Sequence, residues 1–424
     1  MPEQINIMEK LSIVIPVYGE EETVQEIIRK VDSVKYQIPH EILVVNDGSK
    51  DKTLEKIKEL KDVSSLRLVS YEENHGKGYA TREGIKASTG NILIIQDADL
   101  EYNPADIPSI IQPILDGKVD VVYGSRFKGQ IKKISALHYI GNRVLTWMTN
   151  ILFSSSLTDM ETCYKAFSRK ALEDILISED GFEIEPEITV ELLKKGYKIF
   201  EAPVTYTARG FKEGKKITWK SGVKSGLILL KHSFPFIYQL TQDYPAEVIV
   251  RYLRQREVVA ELKKTKPVVL DVGCGFNYLF LQSIHDKIAA GYGFDLKVKE
   301  KNLMKLEIRF HKFEKKLPYP DNFFDYVTSI ATLEHFDNPE DIIPEFARVL
   351  KKGGRVILTT PTKKSKDLLD TLSFLRILNP QEIKDHKGYY NPEDVINMFN
   401  VEGFNEIKTK PFELGFNILY VFEK

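Results

Sequence analysis

Two aspartates separated by one residue, Asp97 and Asp99, follow the aliphatic run Ile92–Ile95, and Glu101 comes two positions later. A chain leaving a strand in extended form presents alternate side chains on one side, so both aspartates can converge on one cation, with Glu101 as a third oxygen donor. Hard oxygen donors suit Mg2+, or Mn2+ in the same geometry. A cation held there can bridge a diphosphate and neutralise its charge as it leaves. In isolation the same acids also read as a solvated acidic turn. A second constellation lies at Val268–Asn277 (VVLDVGCGFN), an apolar run, an acid and a glycine-rich turn. Gly273 and Gly275 remove the Cβ atoms that would keep a ligand away from the backbone. Asp295 closes the next apolar run, GYGFD, and its distance along the chain from Asp271 permits contact with ribose hydroxyls. Alone, such a turn suits a dinucleotide equally well.

These groups need sheets to hold them. Short apolar runs at Ser12–Val17, Glu41–Asn46, Leu66–Ser70, Ile92–Gln96 and Asp120–Tyr123 alternate with amphipathic stretches at Thr23–Val31, Thr53–Leu60, Tyr79–Ala87 and Ala105–Leu115. That alternation predicts a parallel sheet covered by helices, and runs such as ILVV and ILII suit strands buried on both faces. A second alternation starts at Pro267, with strands expected at Val268–Asp271, Gly291–Asp295, Asp325–Ser329, Val356–Thr359, Asn405–Lys408 and Ile418–Phe422. The fold class is therefore α/β in two domains, 1–240 and 241–424, the second opening on the charged helical segment Ala246–Lys264. In both sheets the acids fall at the carboxyl ends of strands, where ligands of such folds bind.

Composition narrows the function classes. The 424 residues carry 60 Lys+Arg against 61 Asp+Glu, a balance that gives no footing for nucleic acid. Cys163 and Cys274 are the only cysteines, too few for a disulfide framework, which points to a reducing, cytoplasmic setting. The N-terminus, MPEQINIMEK, lacks an apolar signal core, and no apolar run reaches the ~20 residues of a bilayer span. Gly226–Leu240 comes nearest, broken by Lys231, His232 and Pro235; it suits a membrane surface or a buried helix equally.

Five strings occur in order in the first half: Ile13–Glu20 (IVIPVYGE), Asn46–Thr53 (NDGSKDKT), His75–Ala80 (HGKGYA), Gln96–Pro104 (QDADLEYNP) and Gly124–Phe127 (GSRF). Together they resemble the inverting glycosyltransferase family 2, with its Rossmann-like GT-A fold, over roughly residues 11–230. Within it the chain looks most like dolichyl-phosphate mannose synthases and bacterial polyprenyl-phosphate glycosyltransferases. The resemblance implies that Pro16, Tyr18, Glu20, Asp47, Lys77, Asp97, Ala98 and Asp99 bind the nucleotide. It also implies that Asp97, Asp99 and Glu101 hold the metal. Arg126, Arg143 in GNRVLTW, Asp159 in DMETCYKAF, Glu185 in FEIEPEI, and Arg209 with Lys215 and Lys216 in YTARGFKEGKK match the lipid-phosphate members. A polyprenyl monophosphate is already a charged nucleophile, so such a site needs cationic clamps more than a base, and arginine binds phosphate bidentately. The resemblance thus implies a UDP- or GDP-hexose donor, a polyprenyl (dolichyl) phosphate acceptor and peripheral attachment to the cytoplasmic face of a membrane. If the acceptor were instead a soluble or cell-surface glycan, Asp159 or another carboxylate would have to act as base. One departure stands out: Trp219-Lys220-Ser221-Gly222 occupies the place of a WxDG loop, with lysine where many relatives carry an acid.

In the second half, VVLDVGCGFN and GYGFD are followed by Leu317–Asp325 (LPYPDNFFD), Leu333–Pro339 (LEHFDNP) and Leu350–Pro361 (LKKGGRVILTTP). This series resembles the class I S-adenosylmethionine-dependent methyltransferases, again Rossmann-like, over roughly residues 245–424. The resemblance implies that Asp271, Gly273 and Gly275 surround the methionine part of the cofactor and that Asp295 binds its ribose. Asn277 stands at the third glycine position, and no adenine-side acid is evident, Glu314 being a poor substitute. His335 is the one histidine on a motif there, readable as a base near neutrality or as a packing residue.

Overall fold

The computed structural model describes residues 9–209, 219–235, 239, 243–375 and 377–424. The chain forms two compact units, Met1–Pro235 and Phe236–Lys424. A domain boundary at residue 240 stands as a proposal beside that division.

The first unit is built on strands β1 (Leu11–Val17), β2 (His40–Asp47), β3 (Leu66–Tyr71), β4 (Ile92–Ile95), β5 (Val121–Lys133), β6 (Lys165–Ser168) and β7 (Ile199–Thr207). They form one sheet in the order β3-β2-β1-β4-β6-β5-β7. β1 pairs in parallel with β2 on one side and with β4 on the other. The direction of winding reverses between β1 and β4, and the crevice beyond their carboxyl ends is the ligand-binding position of such sheets. β1, β2 and β4 are buried almost throughout, as expected of strands covered on both faces. The four strands expected before residue 100 agree with the structure to within a residue at each end. The fifth, expected at Asp120–Tyr123, runs on to Lys133. β6 was not foreseen: it is four residues long, it begins inside the DMETCYKAF string and ends one residue past it, and it enters antiparallel between β4 and β5. Its short run carries too little periodicity to show as a strand.

Helices α1 (Val24–Ser33), α2 (Thr53–Lys58), α3 (Lys77–Ala87) and α4 (Ile107–Leu115) fill the gaps between the early strands. α3 starts at the glycine pair Gly76 and Gly78. A Cβ on Gly76, whose φ is +110°, would lie 2.3 Å from the carbonyl oxygen of Asp180, so only glycine lets this helix begin against the 179–181 loop. Helices α5 (Ala136–Phe153), α6 (Arg169–Glu173), α7 (Ile184–Lys194) and α8 (Trp219–Ser233) complete the unit, with α8 packed on α5 and α7.

The second unit opens with helix α9 (Pro245–Glu261) and holds an eight-stranded sheet. Its strands are β8 (Val268–Val272), β9 (Ala290–Asp295), β10 (Lys301–Asn302), β11 (Leu306–Phe310), β12 (Phe324–Ile330), β13 (Leu350–Pro361), β14 (Asn405–Phe412) and β15 (Asn417–Glu423). The order is β10-β11-β9-β8-β12-β13-β15-β14, and β15 runs antiparallel to both of its neighbours. Here the winding reverses between β8 and β12. The six expected strands are all present, although Val356–Thr359 is only the centre of a longer β13; β10 and β11 were not foreseen. A core of Leu270, Val327, Phe346, Leu358, Phe399 and Phe422 holds the sheet under its helices.

Candidate active sites of the two units

At the crevice between β1 and β4, buried charges pair in chains. Lys77, at the start of α3, places Nζ 2.8 Å from Asp97 Oδ1 and 3.0 Å from Glu185 Oε1. Burial works against the charge on this amine, but Asp97 and Glu185 outweigh it and raise its pKa well above the ordinary lysine value. Glu185, at the buried start of α7, also receives Lys165 from β6. Burial would raise the Glu185 pKa; the two lysines bring it below the usual range. On the other side of the DxD turn, Arg209 holds Glu20 through two hydrogen bonds, 2.9 and 3.1 Å, and lies 3.4 Å from Asp99. Glu101 accepts the Tyr206 hydroxyl at 2.6 Å and the Arg209 backbone N–H at 2.7 Å.

The three acids expected to hold a metal therefore sit at one turn, but their side chains do not share a focus. Lys77 draws Asp97 one way, and Tyr206 and Arg209 draw Glu101 another. Asp99 is left between them, and burial together with the charges of Asp97 and Glu101 pushes its pKa up to about 7. A carboxylate so crowded by like charge is what an incoming cation relieves, so the donor set fits a divalent ion once Asp97 turns from Lys77.

The other residues expected here divide clearly. Arg126 is not a free phosphate clamp: its Nε and Nη2 atoms both lie 2.7 Å from the Asp159 carboxylate, whose Oδ2 also accepts the Arg126 backbone N–H at 2.9 Å. Both side chains are buried, so each neutralises the other. Asp47, at the end of β2, accepts the backbone N–H groups of His75 and Gly76 and the Asn74 amide, and so shapes the loop that leads into α3. Arg143 lies at the exposed surface of α5, stacked over Phe127 and 3.3 Å from the Thr158 carbonyl. Pro16 lies near the end of β1, Ala98 is buried in the DxD turn, and Tyr18, just past β1, is 40% exposed. Lys215 and Lys216 lie outside the described residues, as do the side chains of Trp219 and Lys220. Sequence reasoning missed Lys165, Glu161 and Tyr206, although each lies inside a string already singled out. Glu161 has a buried Oε1 without a hydrogen-bond partner, and burial pushes its pKa up to about 7.

In the second unit, Gly273 and Gly275 have φ of +71° and +73°, the left-handed turn that favours glycine. A Cβ on Gly273 would strike Thr332 Cγ2 at 2.2 Å, whereas one on Gly275 would meet nothing within 4 Å, so the turn faces open space on its second glycine. Asp295 Oδ2 accepts the Gly275 N–H at 3.0 Å and its Oδ1 accepts the Lys297 N–H at 2.9 Å. Asp271 accepts the Thr328 hydroxyl at 2.7 Å across the β8–β12 reversal, and burial pushes its pKa up to about 7. Phe276, Leu296 and Phe310 are exposed beside the turn and the end of β9, an apolar surface on which a flat base can lie. This open turn, with an acid at the end of the next strand, fits a nucleoside-bearing cofactor such as S-adenosylmethionine.

Comparison with known proteins assigns each half of the chain to a family. Residues 12–176 match the glycosyl transferase family 2 and residues 244–409 match a methyltransferase domain. The chain joins a family 2 glycosyltransferase domain to a methyltransferase domain. Both are domains of enzymes. A dolichol-phosphate mannosyltransferase of Pyrococcus furiosus is 28% identical over 211 residues, covering 49% of this chain and 59% of its own length. A UDP-N-acetylglucosamine–dolichyl-phosphate N-acetylglucosaminyltransferase of Methanococcus voltae is 28% identical over 243 residues, covering 52% of this chain and 95% of its own. A low-salt glycan biosynthesis hexosyltransferase of Haloferax volcanii is 30% identical over 209 residues, covering 48% of this chain and 49% of its own. The chain thus spans 59% of the first of these relatives and 49% of the last. In the glycosyltransferase domain the DxD turn is the centre of the buried charge network; in the methyltransferase domain the glycine turn opens on the reversal of the sheet.

Proposed function

We propose that the glycosyltransferase domain transfers a hexose from a UDP- or GDP-sugar to a polyprenyl phosphate with inversion, and that the methyltransferase domain methylates the glycan or the lipid-linked product. The observation that carries the first part is the turn Asp97–Glu101, where carboxylates crowd at the β1/β4 reversal. Mg2+ or Mn2+ bound there would neutralise the leaving diphosphate. Lys77, released from Asp97, supplies a buried cation at the same place, and Arg209 holds the far side of the pocket through Glu20. Electrostatic placement of this kind suits an acceptor that is already an anion.

Support for a lipid acceptor comes from the surface. Leu137, Ile140, Val144, Trp147 and Ile151 recur at alternating three- and four-residue steps along α5, and all are exposed, Leu137 by 74% and Trp147 by 63%. Val223, Leu227 and Leu230 on the adjoining α8, with Phe234 just beyond it, are exposed as well. Adjoining apolar stripes of this size are unusual on a surface that meets only water, and they suit the face of a bilayer. Among the described residues no helix is long and apolar enough to cross a membrane. The reading is thus of peripheral attachment at the cytoplasmic face. Incubation of the protein with radiolabelled UDP- and GDP-hexoses and polyprenyl phosphate tests it: lipid-extractable label is expected, and label passing only to a soluble sugar would reject it. Glu161 favours that second reading of a hydroxyl acceptor, because its buried Oε1 has no hydrogen-bond partner and is free to take a proton, whereas Arg126 holds Asp159 on both oxygens.

S-adenosylmethionine would supply the methyl group in the second domain, and the Gly273–Gly275 turn with Asp295 would hold it. Calorimetry with S-adenosylmethionine should show saturable binding; none would reduce the domain to a scaffold.

A further inference from the structure

Beyond Thr332, which packs on Gly273 of the glycine turn, the methyltransferase domain brings Glu334, His335 and His386 together. The ligand atoms of these three side chains lie within 4.8 Å of one another, and among the described residues they are the one trio of His, Cys, Asp or Glu so placed. Glu334 and His335 occupy the short 3-10 turn after β12, and His386 arrives from the segment that follows the helix Pro380–Lys384. The backbone N–H of Lys387 donates to the Glu334 carbonyl at 2.7 Å and pins the two segments together.

Each member of the trio has the features of a ligand rather than of a packing residue. Glu334 is 1% exposed, and its Oε2 is buried without any hydrogen-bond partner. A buried carboxylate oxygen left in that state costs free energy; the Arg254 guanidinium on α9 acts on Glu334 through its charge, but no hydrogen bond reaches Oε2. His335 Nδ1 donates to the Asp385 carbonyl at 3.3 Å, which leaves the lone pair of a neutral ring on Nε2. His386 Nδ1 is 2.9 Å from the Tyr389 hydroxyl, which can donate to it or accept from it; when it accepts, Nε2 of His386 is left with the lone pair as well. An outer partner on one ring nitrogen is how metal-binding histidines are oriented.

We propose that Glu334, His335 and His386 form a binding site for a borderline divalent cation of the Zn2+ class, with an open coordination position. Two imidazoles and one carboxylate match the donor preference of such an ion and leave a position for an outside ligand. Bond lengths of about 2.1 Å put donors roughly 3.4 Å apart, so the three donors, now within 4.8 Å of one another, would close around the ion. His386 also lines a cleft of about 550 Å³ whose wall carries Lys363, Lys366, Lys387 and Tyr389, with one acid, Asp370, against the three lysines. That cleft suits an acceptor with an anionic group, phosphate or carboxylate, whose oxygen reaches the open position. Thr332, two residues before Glu334, packs on Gly273, so the site adjoins the glycine turn. The role as an acceptor site rests on the methyltransferase reading; the metal site itself does not.

The test uses the full chain carrying Asp97→Asn and Asp99→Asn, so that the other domain cannot contribute carboxylate ligands. After metal is stripped with a chelator, Zn2+ is added by equilibrium dialysis at micromolar free ion, and the Co2+ complex is followed by its visible spectrum. One equivalent of Zn2+ is expected, with affinity falling at least tenfold in His335→Gln and in His386→Gln, and retained in His386→Cys, whose thiolate is an alternative ligand. Circular dichroism shows whether each variant is folded. Equal Zn2+ binding by the parent and both glutamine variants would overturn the proposal, as would no binding by the parent. Calorimetry with S-adenosylmethionine on the same parent separates the two claims. Zn2+ bound without the cofactor leaves the site standing and the methyltransferase reading fallen, and the cofactor bound without Zn2+ does the reverse.

Discussion

Lys77 Nζ and Asp97 Oδ1 meet at 2.8 Å, so the first aspartate of the DxD turn is held by a buried amine that Glu185 holds from the other side. The contact sets two states of the glycosyltransferase site against each other. On the proposed function, a cation would compete with Lys77 for Asp97 and would leave Lys77 to the phosphates of the donor. Lys77→Gln removes that cation while keeping polarity, and it should lower the rate of sugar transfer by about 10²-fold or more, the scale of a lost electrostatic contact at a developing charge. Steady-state rates of lipid-linked product formation measure it, and an unchanged rate would remove Lys77 from the site.

Asp99→Asn should abolish the dependence of transfer on Mg2+ or Mn2+ together with nearly all of the activity. It should also raise thermal stability slightly without metal, because it removes a carboxylate that Asp97 and Glu101 repel. Melting curves with and without Mn2+ provide the check: the parent gains stability from Mn2+ and the variant gains none.

The Arg126–Asp159 pair predicts an asymmetry. Asp159→Asn leaves a buried guanidinium with only part of its partner and should cost about 3–5 kcal/mol of stability, the scale for breaking a buried pair on one side. Arg126→Lys keeps the charge but loses the bidentate geometry and should cost less. Urea unfolding of the two variants reads the difference, and equal stabilities would mean that the pair contributes little.

Glu41 predicts an acid-side dependence of stability. Burial would raise its pKa, but hydrogen bonds from Ser12, Thr89 and Arg67 bring it down to about 2. A folded-state pKa below the unfolded one gives stability that is present above the unfolded value, near 4.5, and lost as pH falls toward 2. Glu41→Gln should therefore be less stable than the parent by about 1–3 kcal/mol at pH 7 and should approach it near pH 2. Denaturant midpoints across that range test it; a constant difference at every pH would contradict the assignment.

Gly273→Ala combines a strained φ with a Cβ 2.2 Å from Thr332 Cγ2. The conformation alone costs about 1–2 kcal/mol, and Thr332, short and β-branched, has little room to move. Loss of S-adenosylmethionine binding is expected together with a lower melting temperature. Gly275→Ala meets no atom within 4 Å and should lose cofactor binding with a smaller loss of stability. Calorimetry and melting curves on both variants decide whether the two glycines differ in this way.

Much of the architecture was legible in the chain because it is local. ILVV and ILII declare buried strands by their lack of any polar face, and Asp47, Asp97 and Asp271 follow or end such runs, which puts them at the carboxyl ends of strands before any pairing is known. The glycines at 273 and 275 declare a tight turn for the same reason: a positive φ is a property of one residue. What tertiary structure alone decided is which charges meet. That Arg126 faces Asp159 instead of an open pocket depends on the short antiparallel β6 entering beside β5. That His386 reaches Glu334 and His335 depends on a segment some 50 residues further along the chain folding back on them. Ion pairs and ligand sets are fixed by register and packing over such separations, and neither leaves a period in the sequence from which it could be read.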